Sequence, residues 1–285
     1  MNALKLGQYD QFRVVDVLEE YYQLENESLS VSLLKSDATH SLKLGDAVEA
    51  FLYIDQSKTV VATMQKPAIT AYEPAFVNVV EKIPGLGVFV DIGLKKDMLV
   101  SKDDLPFIKD QWPEVGDRLF CHLRSGRNQM VAKMVSRFRI TAHLDPQDEL
   151  AISQTVEAYV FHLADEGLVL FTPTGHEIFV YYKHTRKPYR LGELCEVTII
   201  KQLSRTRYNG TLVAQKELAL DDDAKRLYEA LQKDGCIPFG DKSDPDAIFE
   251  TFHLSKAAFK RALGRLYKQE LVTLKPHQTC LKEES

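Results

Sequence analysis

Apolar and polar side chains alternate one by one through most of this chain, and in its last quarter the apolar ones recur at every third or fourth position instead. Between Pro84 and Leu105, Val88, Val90 and Ile92 alternate with Phe89, Asp91 and Gly93, which predicts a strand with one face in a core and Phe89 on the other. Lys95, Lys96 and Asp97 then make a polar turn, and Met98 to Val100 reads as the antiparallel partner. The stretch is a hairpin of a small barrel. A second phrase, Gly, an acid, then an alternating strand, occurs at Gly45-Asp46, Gly116-Asp117 and Gly192-Glu193. The second, fourth and sixth residues after each acid are apolar: Val48, Ala50 and Leu52; Leu119, Cys121 and Leu123; Cys195, Val197 and Ile199. Short apolar runs after polar turns, Val60 to Ala62, Met130 to Ala132 and Thr211 to Val213, predict a closing strand for each copy. The copies lie 71 and 76 residues apart, a spacing that fits one small barrel per repeat.

In the last quarter the pattern predicts helices. Asp221 to Lys233 carries a stripe of Ala224, Leu227, Tyr228 and Leu231, with acids at its start that suit the helix dipole, and Gly235 stops it. Ser243-Asp244-Pro245 opens a second helix through about Phe252, and Ser255 caps a third with Phe259, Ala262, Leu263 and Leu266 on one side. With the apolar run Leu271 to Leu274 as a closing strand, these elements read as a winged helix. The domains expected are residues 1–67, 68–145, 146–217 and 218–285.

The totals limit what this architecture can serve. No apolar run approaches the roughly 20 residues that span a bilayer, and the start lacks a signal peptide, so no membrane role is expected. The four cysteines, Cys121, Cys195, Cys236 and Cys280, form no C-x-x-C pair, which argues against a zinc site or a disulfide framework and for a reducing cytoplasm. A net charge of -5 and a pI near 5.9 argue against coating nucleic acid by bulk attraction. The charge is unevenly spread, however. Residues 118 to 139 hold Arg118, Arg124, Arg127, Lys133, Arg137 and Arg139 and no acid, and residues 183 to 207 carry a net +5, whereas the first 67 carry -4. A nucleic-acid face belongs in the middle and later parts of the chain.

Gly87, Phe89, Val90, Gly93, Leu99 and Val100 resemble the strand-turn-strand signature of the RNA-binding domain named after the largest small-subunit ribosomal protein, a five-stranded barrel of the oligonucleotide-binding (OB) class. Ser101 stands where that domain usually carries a His. The chain as a whole is similar to the bacterial conserved virulence factor B family, through Lys95 to Asp97, Val100-Ser101, Asp104 to Pro106, Pro238 to Pro245, Ser255-Lys256 and Phe259 to Lys268. Ser101 is no anomaly within that family. The resemblance implies a mainly β chain with a C-terminal α/β module: three tandem five-stranded OB-fold barrels followed by a winged helix-turn-helix domain. It also implies an RNA-binding regulatory protein without enzymatic chemistry.

On the strand after Gly116-Asp117, inward Leu119, Cys121 and Leu123 force Arg118, Phe120, His122 and Arg124 outward. Outward rings between cations suit stacked bases and phosphates of a single strand, and Phe89 extends that platform. Arg127 and Lys133 lie in the same basic run. An adjacent barrel packed over Phe89 and Phe120 is the competing reading. In the third barrel, Tyr181 takes the place of the signature His, followed by Lys183, Arg186, Lys187, Tyr189 and Arg190, an interleaving that suits RNA and also a solvated loop. The first barrel is acidic, with Glu49 at the position of Phe120 and Phe51 and Tyr53 on the same outward face, and is assigned to architecture or protein contact. In the third helix of the winged module, Lys256, Lys260, Arg261, Arg265 and Lys268 form an acid-free basic face suited to duplex nucleic acid or protein. No catalytic motif, cofactor, small-molecule substrate or metal site is expected: His122 and His184 lack ligand partners, and Asp221 to Asp223 are explained by the helix start. The expected partner is single-stranded RNA. A DNA-binding transcription regulator and a protein scaffold in RNA metabolism are the rival readings.

Overall fold

The computed structural model describes residues 5–126, 129–213 and 222–282. The chain divides into two compact units, Met1–Leu212 and Val213–Ser285. The first holds three five-stranded modules. In barrel one, β1 (Tyr9–Val17), β2 (Tyr21–Glu25), β3 (Ser30–Leu34), β4 (Ala47–Ile54) and β5 (Val60–Thr63) close in the order β1-β2-β3-β5-β4. Barrel three repeats that order with β11 (Thr155–Leu163), β12 (Gly167–Phe171), β13 (Glu177–Tyr181), β14 (Leu194–Gln202) and β15 (Arg207–Thr211). Between them, β6 (Ala75–Ile83), β7 (Gly87–Asp91), β8 (Met98–Ser101), β9 (Arg118–Ser125) and β10 (Met130–Met134) follow the same path, but no ladder joins β8 to β10 among the described residues. The middle module is therefore a curled sheet rather than a hydrogen-bonded closed barrel.

The repeated Gly and acid are explained by one turn. Gly45, Gly116 and Gly192 all have positive φ, 90°, 96° and 81°, where a Cβ is disfavoured. The acid that follows accepts, through its carboxylate, the backbone N–H three residues back: Asp46 from Lys43 at 2.7 Å, Asp117 from Glu114 at 2.7 Å and Glu193 from Arg190 at 3.2 Å. The turn launches β4, β9 and β14, whose inward residues are buried as the alternation predicts. Each module's first strand also carries a bulge, at Val14/Asp16, Val79/Glu81 and Val160/His162, which bends it around the core.

One expectation fails here. The closing strand of barrel three is Arg207–Thr211 rather than 211 to 213. Its inward positions are Tyr208 and Gly210, and a Cβ on Gly210 would lie 2.5 Å from the Val197 side chain, so the core admits no apolar residue there. A helical turn, α1 (Arg137–Ile140), follows β10 and buries Ile140, an element that the sequence pattern did not predict.

The second unit is a winged helix. It comprises α2 (Asp222–Asp234), β16 (Cys236–Ile237), α3 (Pro245–Phe252), α4 (Lys256–Lys268), β17 (Val272–Lys275) and β18 (Gln278–Leu281), with sheet order β16-β18-β17. Asp221 lies outside the described residues. Asp244 caps α3 by accepting from the backbone of Asp246 and Ala247, and Ser255 caps α4 by accepting from Ala258. Cys236 and Cys280 are register partners on β16 and β18 and form a disulfide. This corrects the sequence expectation: 44 residues separate the two in the chain, yet the sheet brings their Cα atoms to 4.0 Å. Cys121 and Cys195 are buried thiols, as their inward positions predict.

Candidate nucleic-acid interface

Part of the outward face of each barrel is used up in two seams between neighbours. On barrel one, Phe51 and Tyr53 are buried in a cluster with Ile69, Leu123 and Met130 of the middle module. Burial there, reinforced by the carboxylates of Asp37 and Asp55, pushes the Tyr53 phenol up to about 12. The Lys95-Lys96 turn grips the same seam: Lys96 donates to the carbonyls of Ile54 and Asp55 at 2.9 and 2.8 Å, and Lys95 pairs with Asp37 at 2.6 Å.

The seam with barrel three decides the fate of Phe120. Its ring is outward from the module's core, as alternation requires, but only 2% exposed. It packs edge-on to Phe76 at 5.0 Å and clusters with Val135, Ile140, Val169 and Phe171. Stacking on Phe120 is thus excluded, and so is a continuous open platform across barrels two and three. Arg190 is also consumed by the seam, donating to both oxygens of Asp117 at 2.7 and 2.9 Å while the Arg118 backbone donates to the carbonyl of Gly192.

A groove of about 640 Å³ lies open beside this seam. β9 supplies His122 and Arg124, β10 supplies Lys133, and Arg139 and His143 come from α1 and the turn after it. Tyr72, 71% exposed, and Pro74 form the opposite lip. No carboxylate lines the groove among the described residues. Lys133 is paired with Asp104 at 2.5 Å, whereas the exposed Arg124 and Arg139 have no acid partner among the described residues. Three of the expected residues, His122, Arg124 and Lys133, are thereby brought together. Tyr72, Arg139 and His143 were missed; the acid-free run 118 to 139 contained Arg139, but nothing in the pattern placed the linker before β6 across from it.

The other expected residues lie elsewhere. Arg118 donates its Nε to Asn78 at 2.7 Å and its guanidinium lies 5.7 Å from the Tyr159 ring, in a cavity next to the groove. Phe89 is half-buried on β7. On barrel three, the Lys183 amine lies 5.5 Å from the Tyr181 ring and that of Lys187 5.0 Å from the Tyr189 ring. Lys187 also pairs with Glu193 at 2.6 Å, Arg186 is exposed, and burial pushes the Tyr189 phenol up. Arg127 lies outside the described residues.

Comparison with known proteins fits this arrangement. An S1 domain profile matches residues 6–65, one described as the CvfB first S1-like domain matches 74–133, and one described as a CvfB-like winged helix domain matches 225–281. Conserved virulence factor B of Staphylococcus saprophyticus is 33% identical over 98% of this chain and 95% of its own length. The chain belongs to the conserved virulence factor B family. YitL of Bacillus subtilis is 35% identical over 87% of this chain and 84% of its own. A crystal structure described as a multidomain protein with nucleic acid binding domains, from Streptococcus pneumoniae, is 26% identical, covers 98% of this chain and 99% of that one, and superposes with a TM-score of 0.67.

The domains that identify the conserved virulence factor B family are S1-like and winged-helix modules, with no enzymatic domain among those matched. Ser101 has a local role in this setting: its Oγ accepts the Asp103 N–H at 3.3 Å and caps the turn at Lys102–Asp104. In the family's winged helix, Phe259, Ala262, Leu263 and Leu266 of α4 face the core, which leaves Lys260, Arg261, Arg265 and Lys268 exposed and Lys256 half-buried. No helix among the described residues is long and apolar enough to cross a membrane.

Proposed function

We propose that this chain is a non-enzymatic, cytoplasmic RNA-binding regulator that holds single-stranded RNA in the groove of the middle module and acts by occupancy. The supporting observation is the acid-free groove itself, in which Arg124, Lys133 and Arg139 offer charge to phosphates and the exposed Tyr72 offers a ring to a base. Its relatives' S1-like domains and the nucleic acid binding domains of the pneumococcal neighbour support the same reading. Phe89 and the cation-over-ring pairs at Tyr181 and Tyr189 with Arg186 form a further RNA contact. Phe120 and Arg190 are withdrawn from it. The exposed cations of α4 give a second nucleic-acid contact, for duplex as well as single strands.

The test is fluorescence anisotropy of a labelled oligouridine of about 12 nucleotides, a length within the site sizes of such barrels, with duplex DNA as competitor. Replacing Arg124 and Arg139 together by Glu should weaken binding at least tenfold and reduce the logarithmic salt slope by about 1.4, since each neutralised phosphate contributes about 0.7. Wild-type affinity and slope in that variant would refute the groove. Displacement by duplex DNA at lower concentration than by RNA would favour the transcription-regulator reading instead.

A further inference from the structure

A second cavity, about 440 Å³, opens beside the groove, and Met134, Val135 and Ser136 line both. Its volume falls in the range of small-ligand sites, about 300 to 1,000 Å³. Phe76 and Tyr159 give it aromatic walls, and Phe138, 92% exposed, stands at its edge. A ring so open to water has no structural duty, and it lies one residue from the groove's Arg139.

Two polar groups of the cavity, Asp104 and Arg118, keep hydrogen-bonding capacity to spare, whereas Arg137, which also lines it, is committed to Glu177. Asp104 gives one oxygen to Lys133 and its other oxygen takes no hydrogen bond among the described residues. Arg118 is held by Asn78 through Nε and by the face of Tyr159, which leaves its two terminal amino groups without an acceptor among the described residues. A carboxylate oxygen and a guanidinium fork, set between rings, match one base better than the others. Guanine alone presents adjacent donors, N1–H and the N2 amine, together with the O6 and N7 acceptors that arginine reads as a pair. Adenine lacks the donor pair and the pyrimidines lack N7.

We propose that this cavity takes a single guanine base extruded from a strand lying in the groove, with Asp104 accepting from its Watson–Crick edge, Arg118 donating to O6 and N7, and Phe138 closing over its face. The inference rests on the groove reading and gives it a base preference. A base of a single strand is the cheapest to extrude, because no pairing is lost.

Three labelled RNAs test it on the full chain: an oligouridine of about 12 nucleotides, the same strand with one central guanosine, and the same with one central adenosine. Guanosine should tighten binding about tenfold and adenosine should not, in keeping with the discrimination of a good bidentate pair. Phe138→Ala, at a position too exposed to disturb folding, should cut the guanosine advantage to about threefold or less while oligouridine binds as before, since stacking on one ring accounts for a gain of that order or more. Asp104→Asn, which keeps an oxygen for Lys133, should remove the advantage altogether. Equal affinity for all three RNAs, an equal gain from adenosine, or a guanosine advantage that survives both substitutions overturns the proposal while leaving groove binding in place. Failure of oligouridine to bind at all takes both down.

Discussion

Glu177 is nearly sealed at the edge of barrel three, and two guanidinium groups converge on it, Arg137 from α1 at 2.7 Å and Arg207 from β15 at 3.1 Å. Burial pushes its carboxyl up, but the hydrogen bond and charge of Arg137, then those of Arg207, outweigh that and hold it below the usual carboxylate range. A folded value below the unfolded one means that the stabilisation is fully present above about pH 4.3 and is lost as pH falls through the folded value. Glu177→Gln should therefore destabilise the first unit near neutral pH by roughly 1.5–3 kcal/mol, the worth of hydrogen bonds to a charged group. The same substitution should make stability less sensitive to acid below that range. Urea midpoints near neutrality and near pH 3 measure both; an unaltered pH dependence would mean that the pair contributes nothing. Sequence reading did not find this pair, and it offered the cover over Phe120 only as the competing reading. It gives the direction of a side chain, and the partners here lie about forty residues away in the chain, across a seam that only folding creates.

Strands and helices were far more legible, because they are set by neighbours at short range. Alternation located β4, β7, β8 and β9, the caps at Asp244 and Ser255 located α3 and α4, and the apolar stripe of α4 is the buried one. Legibility ended where an element departs from its pattern, as in β15, whose inward Gly210 is dictated by the Val197 and Ile178 methyl groups against it. It ended again at the two-residue β16, which is too short to show any period and whose pairing with β18 creates the Cys236–Cys280 bond. By loop entropy a crosslink closing 44 residues stabilises the folded state by roughly 4 kcal/mol, with about 2–4 typical of measured cases. Reduction, or Cys236→Ser, should accordingly lower the thermal midpoint of the winged-helix unit by several degrees. Calorimetry with and without reductant reads the effect, and a midpoint indifferent to reductant would show that the two sulfurs do not stabilise the wing.

At the scale of the molecule, the three barrels look like independent beads in sequence and are not independent in space. One apolar cluster runs from Phe51 and Tyr53 of barrel one into the core of the middle module, and another joins Phe120 and Ile140 to Val169 and Phe171 of barrel three. The middle module, which closes no ladder between β8 and β10, is held between these two seams. Its stability should depend on its neighbours, and the chain's single tryptophan provides the probe. Trp112 is buried in the middle module with its indole N–H on the Pro106 carbonyl at 2.7 Å. Leu168 lies in the private core of barrel three, among Ala158, Ile178 and Val197, and lines neither seam. Leu168→Ala should create a cavity that costs about 2–5 kcal/mol. If the barrels unfold together, that cost appears in the urea midpoint reported by Trp112 fluorescence, which shifts in step with the β-sheet circular dichroism. A Trp112 transition that stays at the wild-type midpoint while circular dichroism splits into two steps would mean that each barrel folds alone. The groove would then sit on a module that does not need its neighbours, and the rigidity that its placement of Arg124 against Arg139 demands would have to come from β9, β10 and α1 by themselves.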